Sequence, residues 1–313
     1  MNFMKQLMLL VSAVTAAAFP GVWNGKTALD EVERTIGKVF ERYSIDVDVL
    51  TLYSHERESY AVAKRLKKRL DALATNGDCR RCWFQKKHCV CDQCPPLENE
   101  ETLMRSLSIK NIFVLTHHKE IGLAVDTTKY ILSTFPKSCK LVVNGISGQF
   151  QQSMAELEDV MTNEPHRCLV LFPSDDAVPI SSAIRTFSKA PVCNQIDNLN
   201  VVIIDGTWNQ ARKMHARLPT GAQRVCLSDK AIASLMNNCS EGFQLRRHPT
   251  KWREISTLEA LRLFLNDLCM AIDSDLVTHA SWDILKDYQT TGDKSALKQL
   301  GPPRIKGTSI SLQ

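Results

Sequence analysis

The chain has 313 residues, of which 44% are apolar and 23% charged, and it carries a formal net charge of +5. That length suits one large domain or two modest ones, and the apolar fraction excludes wholesale disorder. The charge admits a nucleic-acid partner without demanding one, and no apolar run reaches the ~18 to 20 residues of a membrane-spanning helix, so a soluble globular protein with no stable membrane association is expected.

Met1 to Lys5 carries one positive charge and no acid, and Leu7 to Ala18 is a twelve-residue apolar run ending in small residues before Phe19 and Pro20. This is the layout of a cleaved targeting segment over residues 1–20, which would direct the chain to an organelle, plastid or mitochondrion. Read instead as a helix docked on the core, it leaves a cytoplasmic or nuclear protein. Residues 21–75 read as a helical extension, with helical periodicity over Ala28 to Tyr43 and Glu56 to Leu73. In the second helix Val62, Leu66, Leu70 and Leu73 form one stripe while Lys64, Arg65, Lys67, Lys68 and Arg69 cover the rest. Such a basic face can lie on RNA, but charge alone favours a solvated surface.

Asn76-Gly77-Asp78 turns the chain into a cysteine cluster. Five of the eleven cysteines, Cys79, Cys82, Cys89, Cys91 and Cys94, fall within sixteen residues, where even spreading would place fewer than one. Cys79-x2-Cys82-x6-Cys89-x-Cys91 gives two close pairs, each able to grip one side of a tetrahedral Zn2+, so residues 79–94 read as a structural zinc knuckle. Arg80, Arg81, Lys86, Lys87 and His88 surround it, and positive charge favours thiolates. Cys94 and His88 are further candidates for the fourth ligand. The remaining cysteines sit mostly in apolar segments, Cys168, Cys226 and Cys269 among them, and read as buried thiols. Pro95-Pro96 closes the cluster, and the acidic stretch Glu98 to Glu101 reads as a linker.

Beyond Ile109 five β-branched apolar runs appear: Ile112 to Thr116, Leu141 to Val143, Cys168 to Phe172, Val201 to Asp205 and Arg224 to Leu227. Segments of helical character separate most of them, namely Leu123 to Phe135, Ser153 to Met161, Ser181 to Ser188 and Trp208 to Leu218. A longer amphipathic helix, Leu258 to Ile272, starts with a capping box in which Ser256 and Glu259 would satisfy each other's backbone donors. Continuous apolar strands alternating with helices indicate an α/β protein with a mostly parallel sheet buried on both faces. Past Gly292 the composition predicts fraying, so 276–313 reads as a C-terminal helix and a flexible tail.

Ligands in open parallel sheets bind outside the carboxyl ends of the strands. The residues there are Thr116-His117-His118-Lys119-Glu120, Pro173-Ser174-Asp175-Asp176 and Asp205-Gly206-Thr207-Trp208, all rich in hydrogen-bonding groups. In the last of these, a carboxylate beside flexible Gly206 can be aimed into a pocket, Thr207 can cap the next helix, and Trp208 offers a stacking surface. An ordinary strand-to-helix turn with Trp208 in the core fits the same residues.

Val201 to Arg212, VVIIDGTWNQAR, resembles the Asp-x-Thr-Trp signature of the DTW-domain family. The cysteine cluster resembles that family's Cys-x2-Cys, Cys-x-Cys opening. Thr116 to Glu120, with Thr127 seven residues on, resembles its His-Pro-x-Glu and Asn-Thr segment, although Lys119 follows His118 where proline is usual and Asp126 stands where asparagine is usual. Leu171-Phe172-Pro173-Ser174 resembles its Leu-x-Pro-Ser turn. Arg246-Arg247-His248-Pro249 and Ile255 to Ala260 resemble its Arg-x-x-Pro and Ser-Thr-x-Glu-Ala element. Together these span roughly Cys79 to Asp273, within a DTW domain read as 76–275.

The resemblance implies a SPOUT-like α/β fold with a knotted C-terminal half. It also implies a tRNA-uridine aminocarboxypropyltransferase, which moves the 3-amino-3-carboxypropyl group of S-adenosylmethionine to N3 of a uridine and releases methylthioadenosine. Asp205, Thr207 and Trp208 are then the expected catalytic residues, with Asp205 as general base. Leu171, Pro173, Ser174, Asp205, Leu245, Ser256 and Thr257 are the expected cofactor contacts, with the helix start at Ser256 and Thr257 suited to the methionine carboxylate. Cys79, Cys82, Cys89 and Cys91 are the expected metal ligands. RNA contact is expected from Arg80, Arg81, Lys86, Lys87, Arg212, Lys213, Arg246, Arg247, Lys251 and Arg253, on a splayed-out, single-stranded base. The alternatives are a non-catalytic zinc-containing RNA-binding protein, an S-adenosylmethionine-dependent RNA methyltransferase, and an rRNA-directed enzyme of the same chemistry.

Overall fold

The β-branched runs beyond Ile109 all become strands of one sheet. The computed structural model describes residues 27–44, 47–189, 198–237, 255–272 and 280–301. In chain order the helices are α1 (Ala28–Arg42), α2 (Ser54–Thr75), α3 (Glu100–Ser106), α4 (Thr128–Thr134), α5 (Gln152–Asn163), α6 (Ile180–Lys189), α7 (Trp208–His215), α8 (Asp229–Asn237), α9 (Thr257–Ile272) and α10 (Ala280–Leu300). The strands are β1 (Ile109–His117), β2 (Cys139–Asn144), β3 (Cys168–Leu171), β4 (Val178–Pro179), β5 (Leu199–Asp205) and β6 (Gln223–Cys226), in spatial order β2-β1-β5-β3-β6-β4. Every pairing is parallel, as the unbroken apolar runs predict.

The period-2 alternation of each strand feeds two cores. Ile112 and Val114 of β1, Val201 and Ile203 of β5, and Leu169 and Leu171 of β3 face α9 and α10, packing with Leu261, Phe264, Leu265 and Trp282. Phe113, Leu115, Val170 and Val202 face the other way, against Leu157 and Met161 of α5 and Ala211 and Met214 of α7. A third cluster joins α1 and α2 to Leu141 and Val143 of β2 and to Trp83 of the cysteine segment. The helical extension is therefore packed onto the sheet domain through its β2 side.

β1 connects outward to β2, whereas β5 connects past β3 to β6, so the chain leaves these two neighbours in opposite directions. The helices that follow lie on opposite faces, Tyr130 and Ile131 of α4 in one core and Ala211 and Met214 of α7 in the other. The carboxyl ends of β1 and β5 thus form a topological switch point, where parallel α/β sheets place their ligands. Thr116 pairs with Asp205 there.

Several sequence expectations are corrected. The acidic linker is helix α3 from Glu100, whose buried carboxylate accepts the backbone N–H groups of Lys137 and Ser138 (3.0 and 2.6 Å) and so anchors the turn into β2. The helix expected from Leu123 begins at Thr128 with Thr127 as its N-cap, and Asp126 Oδ1 accepts the Thr128 N–H at 2.7 Å in the turn that leads into it. The Ser256–Glu259 box is half formed: Ser256 Oγ accepts the Glu259 N–H at 3.0 Å, but the Glu259 carboxylate grips Arg262 instead (2.8 Å). Of the thiols expected to be buried, Cys168 and Cys269 are, whereas Cys226 is half-buried. The chain does not fray at Gly292; α10 continues to Leu300, and the glycine is required because a Cβ at 292 would run into the Tyr130 phenol. The targeting segment 1–20 lies outside the described residues, and so do 238–254 and 273–279 in the C-terminal half for which a knot is expected.

Candidate functional site

Three of the sequence elements meet at the first turn of α9. Asp205 ends β5 with only 4% of its surface exposed, and its Oδ1 accepts the Thr257 hydroxyl at 2.5 Å. Thr127, from the loop after β1, uses Oγ1 to accept the Leu258 N–H at 3.3 Å. Ser256 caps Glu259 and donates to Gln289 Oε1 of α10 at 2.6 Å. The amides of Leu258 and Glu259, two of the donors expected to cradle a carboxylate, are therefore satisfied within the protein. Gly206 lets the β1 loop close on this point, since a Cβ there would stand 3.3 Å from His117 Cβ and 3.2 Å from Gln210. Thr207 is the N-cap of α7, and its N–H donates to Gln210 Oε1 at 2.7 Å.

A cavity of about 660 Å³ opens beside this turn, within the ~300 to 1,000 Å³ of small-molecule sites. Its walls are largely apolar, with Leu171, Pro173, Ile203, Leu227 and Ile255, and Thr207 and Thr257 contribute hydroxyls. Of the expected cofactor contacts, Leu171, Pro173 and Thr257 line it directly. Asp205 sits behind Thr257. Ser174 and Ser256 are not among the described lining residues, and Leu245 lies outside the described part of the chain. The apolar floor suits a purine and the hydroxyls suit a polar tail, so the residues present fit a nucleoside-containing ligand.

Trp208 lines the same cavity but is not a bare platform. It stacks on Phe172 (centroids 5.2 Å apart, 14° between planes), and Phe172 stacks on His215 (4.4 Å, 20°). Burial and the nearby Arg224 hold the His215 imidazole below its ordinary value. The sequence pattern gave no signal for Phe172 or His215, because stacking partners on different elements leave no periodicity.

Four thiols gather at the other end of α10. Cys79 and Cys91 Sγ are 3.5 Å apart, Cys82 and Cys89 Sγ 3.6 Å, and all four sulfurs lie within 4.8 Å of one another. Thiolates sharing a tetrahedral Zn2+ at ~2.3 Å would be separated by about 3.8 Å, so this set fits such an ion. Cys94 is left out of the group, and burial pushes its thiol up to about 12. His88 contributes a backbone carbonyl to Ser295. The segment is held by an Asp78–Gln85 bridge and by Arg81, which donates to the Cys94 carbonyl at 2.8 Å.

The expected RNA-contacting bases divide sharply. Arg80 is taken up by Asp30 and Glu33 of α1 (both 2.7 Å), and Arg81 by the knuckle's own carbonyls. Lys86, Lys87, Arg212 and Lys213 are exposed. Arg246, Arg247, Lys251 and Arg253 lie outside the described residues.

His117 and His118 stack on each other (4.4 Å) at the end of β1, and Arg65 of α2 donates to His118 Nε2 at 3.2 Å. Arginine only donates, so this nitrogen is an unprotonated acceptor. Burial, reinforced by His117, Arg65 and Lys119, lowers His118 from 6.5 to about 4. The unfolded chain therefore binds this proton more readily, and stability rises with pH across that window. Urea melts between pH 4 and 6.5 should show a flatter acid arm for His118→Gln than for the wild type.

A parallel α/β domain with a cavity at the carboxyl ends of β3, β5 and β6, and with four gathered thiols that could hold a metal ion, defines the class of molecule. The family model described as DTW domain matches residues 76–288, and the chain belongs to the DTW-domain family. Membership is consistent with a tRNA-modifying function. No curated protein and no solved structure matches the chain. Among the described residues, no helix is long and apolar enough to cross a membrane.

Proposed function

We propose that the protein is a tRNA-uridine aminocarboxypropyltransferase that uses S-adenosylmethionine as co-substrate and Zn2+ as a structural ion. The observation that carries this reading is the meeting of the Asp205-x-Thr207-Trp208 signature, Thr127 and the Ser256-Thr257 turn beside one apolar cavity. The SPOUT-like knotted path of the C-terminal half belongs to the same reading.

S-adenosylmethionine supplies an activated carbon next to a sulfonium, which leaves without acid catalysis. The protein's task is to bring uridine N3 in line with that carbon and to remove the N3 proton. Asp205 holds the Thr257 hydroxyl on the cavity wall and takes that proton through it, the hydroxyl accepting the N3 proton as it passes its own to the carboxylate, while the N–C bond forms and the C–S bond breaks. A positioned base of this kind contributes ~10² to 10⁴-fold, and fixed geometry contributes much of the rest. Leu171, Pro173 and Thr257 hold the cofactor, and the backed Trp208 limits the depth to which a flipped base enters. Cys79, Cys82, Cys89 and Cys91 would fill all four positions of a zinc ion, which would then hold structure rather than react.

Digestion of tRNA after incubation with the protein and S-adenosylmethionine tests the reading. A uridine heavier by one aminocarboxypropyl group, with N3 blocked, is the expected product; a methylated nucleoside would assign methyl transfer instead, and an unaltered but bound tRNA would leave a binding module.

A further inference from the structure

The basic helix α2 lies outside the DTW match, and its place in the fold changes how its charge reads. Ser59 Oγ accepts the Ser147 N–H after β2 at 3.1 Å, Arg65 reaches His118 after β1, and Arg69 approaches the Ile121 carbonyl. At its start Glu58 pairs with Arg217 just beyond α7 (3.2 Å). The helix therefore runs over the loops that leave the carboxyl ends of β1 and β2, on the same edge of the sheet as Asp205. His118 is next to His117, and His117 packs beside Gly206 of the signature.

Val62, Ala63, Leu66 and Leu70 are buried beneath the helix, whereas Lys64, Arg65, Lys67 and Lys68 are exposed. These four are spaced three and four residues apart in pairs, so they form one continuous face. Lys67 shares Asp71 at 2.9 Å, and among the described residues Lys64 and Lys68 have no acidic partner. Exposed Lys119 extends the strip towards the site. At the knuckle, by contrast, Arg80 and Arg81 are already engaged within the protein.

We infer that the α2 face formed by Lys64, Arg65 and Lys68, continued by Lys119, is the docking surface for the RNA backbone that delivers a base to the Asp205 site. This rests on the proposed tRNA reading and adds to it a surface outside the matched domain. The helix is 22 residues long, about 33 Å at the usual rise, and its lysines present point charges to successive phosphates without reading sequence.

The test is binding of an unmodified tRNA transcript to the full-length, zinc-loaded chain across a salt series, beside S-adenosylmethionine affinity by calorimetry. The double variant K64E/K68E should bind tRNA about tenfold or more weakly near 0.1 M salt and lower the salt slope by about two. Its cofactor affinity and melting temperature should match the wild type, and K64R/K68R should restore binding. K86E/K87E, at the exposed part of the knuckle, should bind tRNA nearly as the wild type does. Unchanged tRNA affinity in K64E/K68E, while the wild type binds and modifies tRNA, would overturn the α2 surface and leave the enzyme reading standing. Equal losses in both double variants would also overturn it, by showing diffuse electrostatics. A wild type that binds no tRNA would remove the surface together with the reading beneath it.

Discussion

Asp205→Asn is expected to lower turnover by ~10² to 10⁴-fold while leaving S-adenosylmethionine affinity close to that of the wild type. The reason lies in how the carboxylate is held. Its Oδ1 accepts the Thr257 hydroxyl at 2.5 Å, and an asparagine carbonyl oxygen can accept the same bond. The substitution therefore keeps the link between β5 and α9 but removes basicity. Asp205→Ala removes both, and in a residue 4% exposed it also leaves the Thr257 hydroxyl facing an empty space. That variant should lose cofactor affinity as well as turnover. Single-turnover kinetics beside calorimetric affinities separate the two effects. Near-normal turnover in Asp205→Asn, with loss only in Asp205→Ala, would make Asp205 a positioning residue and not the base.

Cys82→Ser is expected to reduce bound zinc and to lower Tm by about 5 °C, the shift that a loss of ~3 kcal/mol produces in a chain of this size. The effect should also reach the cofactor site, because α10 spans both. Ser295 donates to the His88 carbonyl, Gln299 accepts the Gln85 N–H at 3.0 Å, and Tyr288 donates to the Pro95 carbonyl at 2.8 Å. On the same helix Gln289 accepts the Ser256 hydroxyl, and Asp283 pairs with Arg262 of α9 at 3.1 Å. A loosened knuckle would thus release the helix that steadies the start of α9. Metal analysis, thermal melts and cofactor affinity on one preparation check the chain of effects; full zinc content in the variant would contradict the four-thiol site.

Much of the fold is legible in the sequence because buried parallel strands write themselves as continuous apolar runs. All five expected strands form, and the tips of β1 and β5 carry the polar residues that crowd the switch point. The two-residue β4 was invisible, since Val178-Pro179 is too short to make a pattern. The cysteine spacing picks out the four thiols that the fold gathers close enough to hold a metal ion, and only the fold leaves Cys94 and His88 out of that group. The tight-turn glycines were ambiguous: Gly292 reads as a helix breaker, and only the approach of Tyr130 explains it inside α10. Long-range partners were the least legible. Nothing in the spacing of Gln289, Ser295 or Gln299 announces that one helix ties the four-thiol segment to the turn at Ser256. Nor does the charge of α2 reveal which edge of the sheet it overlies; a solvated face and an RNA-binding face have the same sequence pattern, and position alone distinguishes them.

The most direct measurement is mass spectrometry of the small-molecule co-product from purified protein, S-adenosylmethionine and unmodified tRNA. Methylthioadenosine formed in equal amount to the modified uridine, and absent when tRNA is omitted, is the predicted result. S-adenosylhomocysteine in its place, or no cleavage of the cofactor while both ligands bind, would contradict aminocarboxypropyl transfer at the Asp205 site.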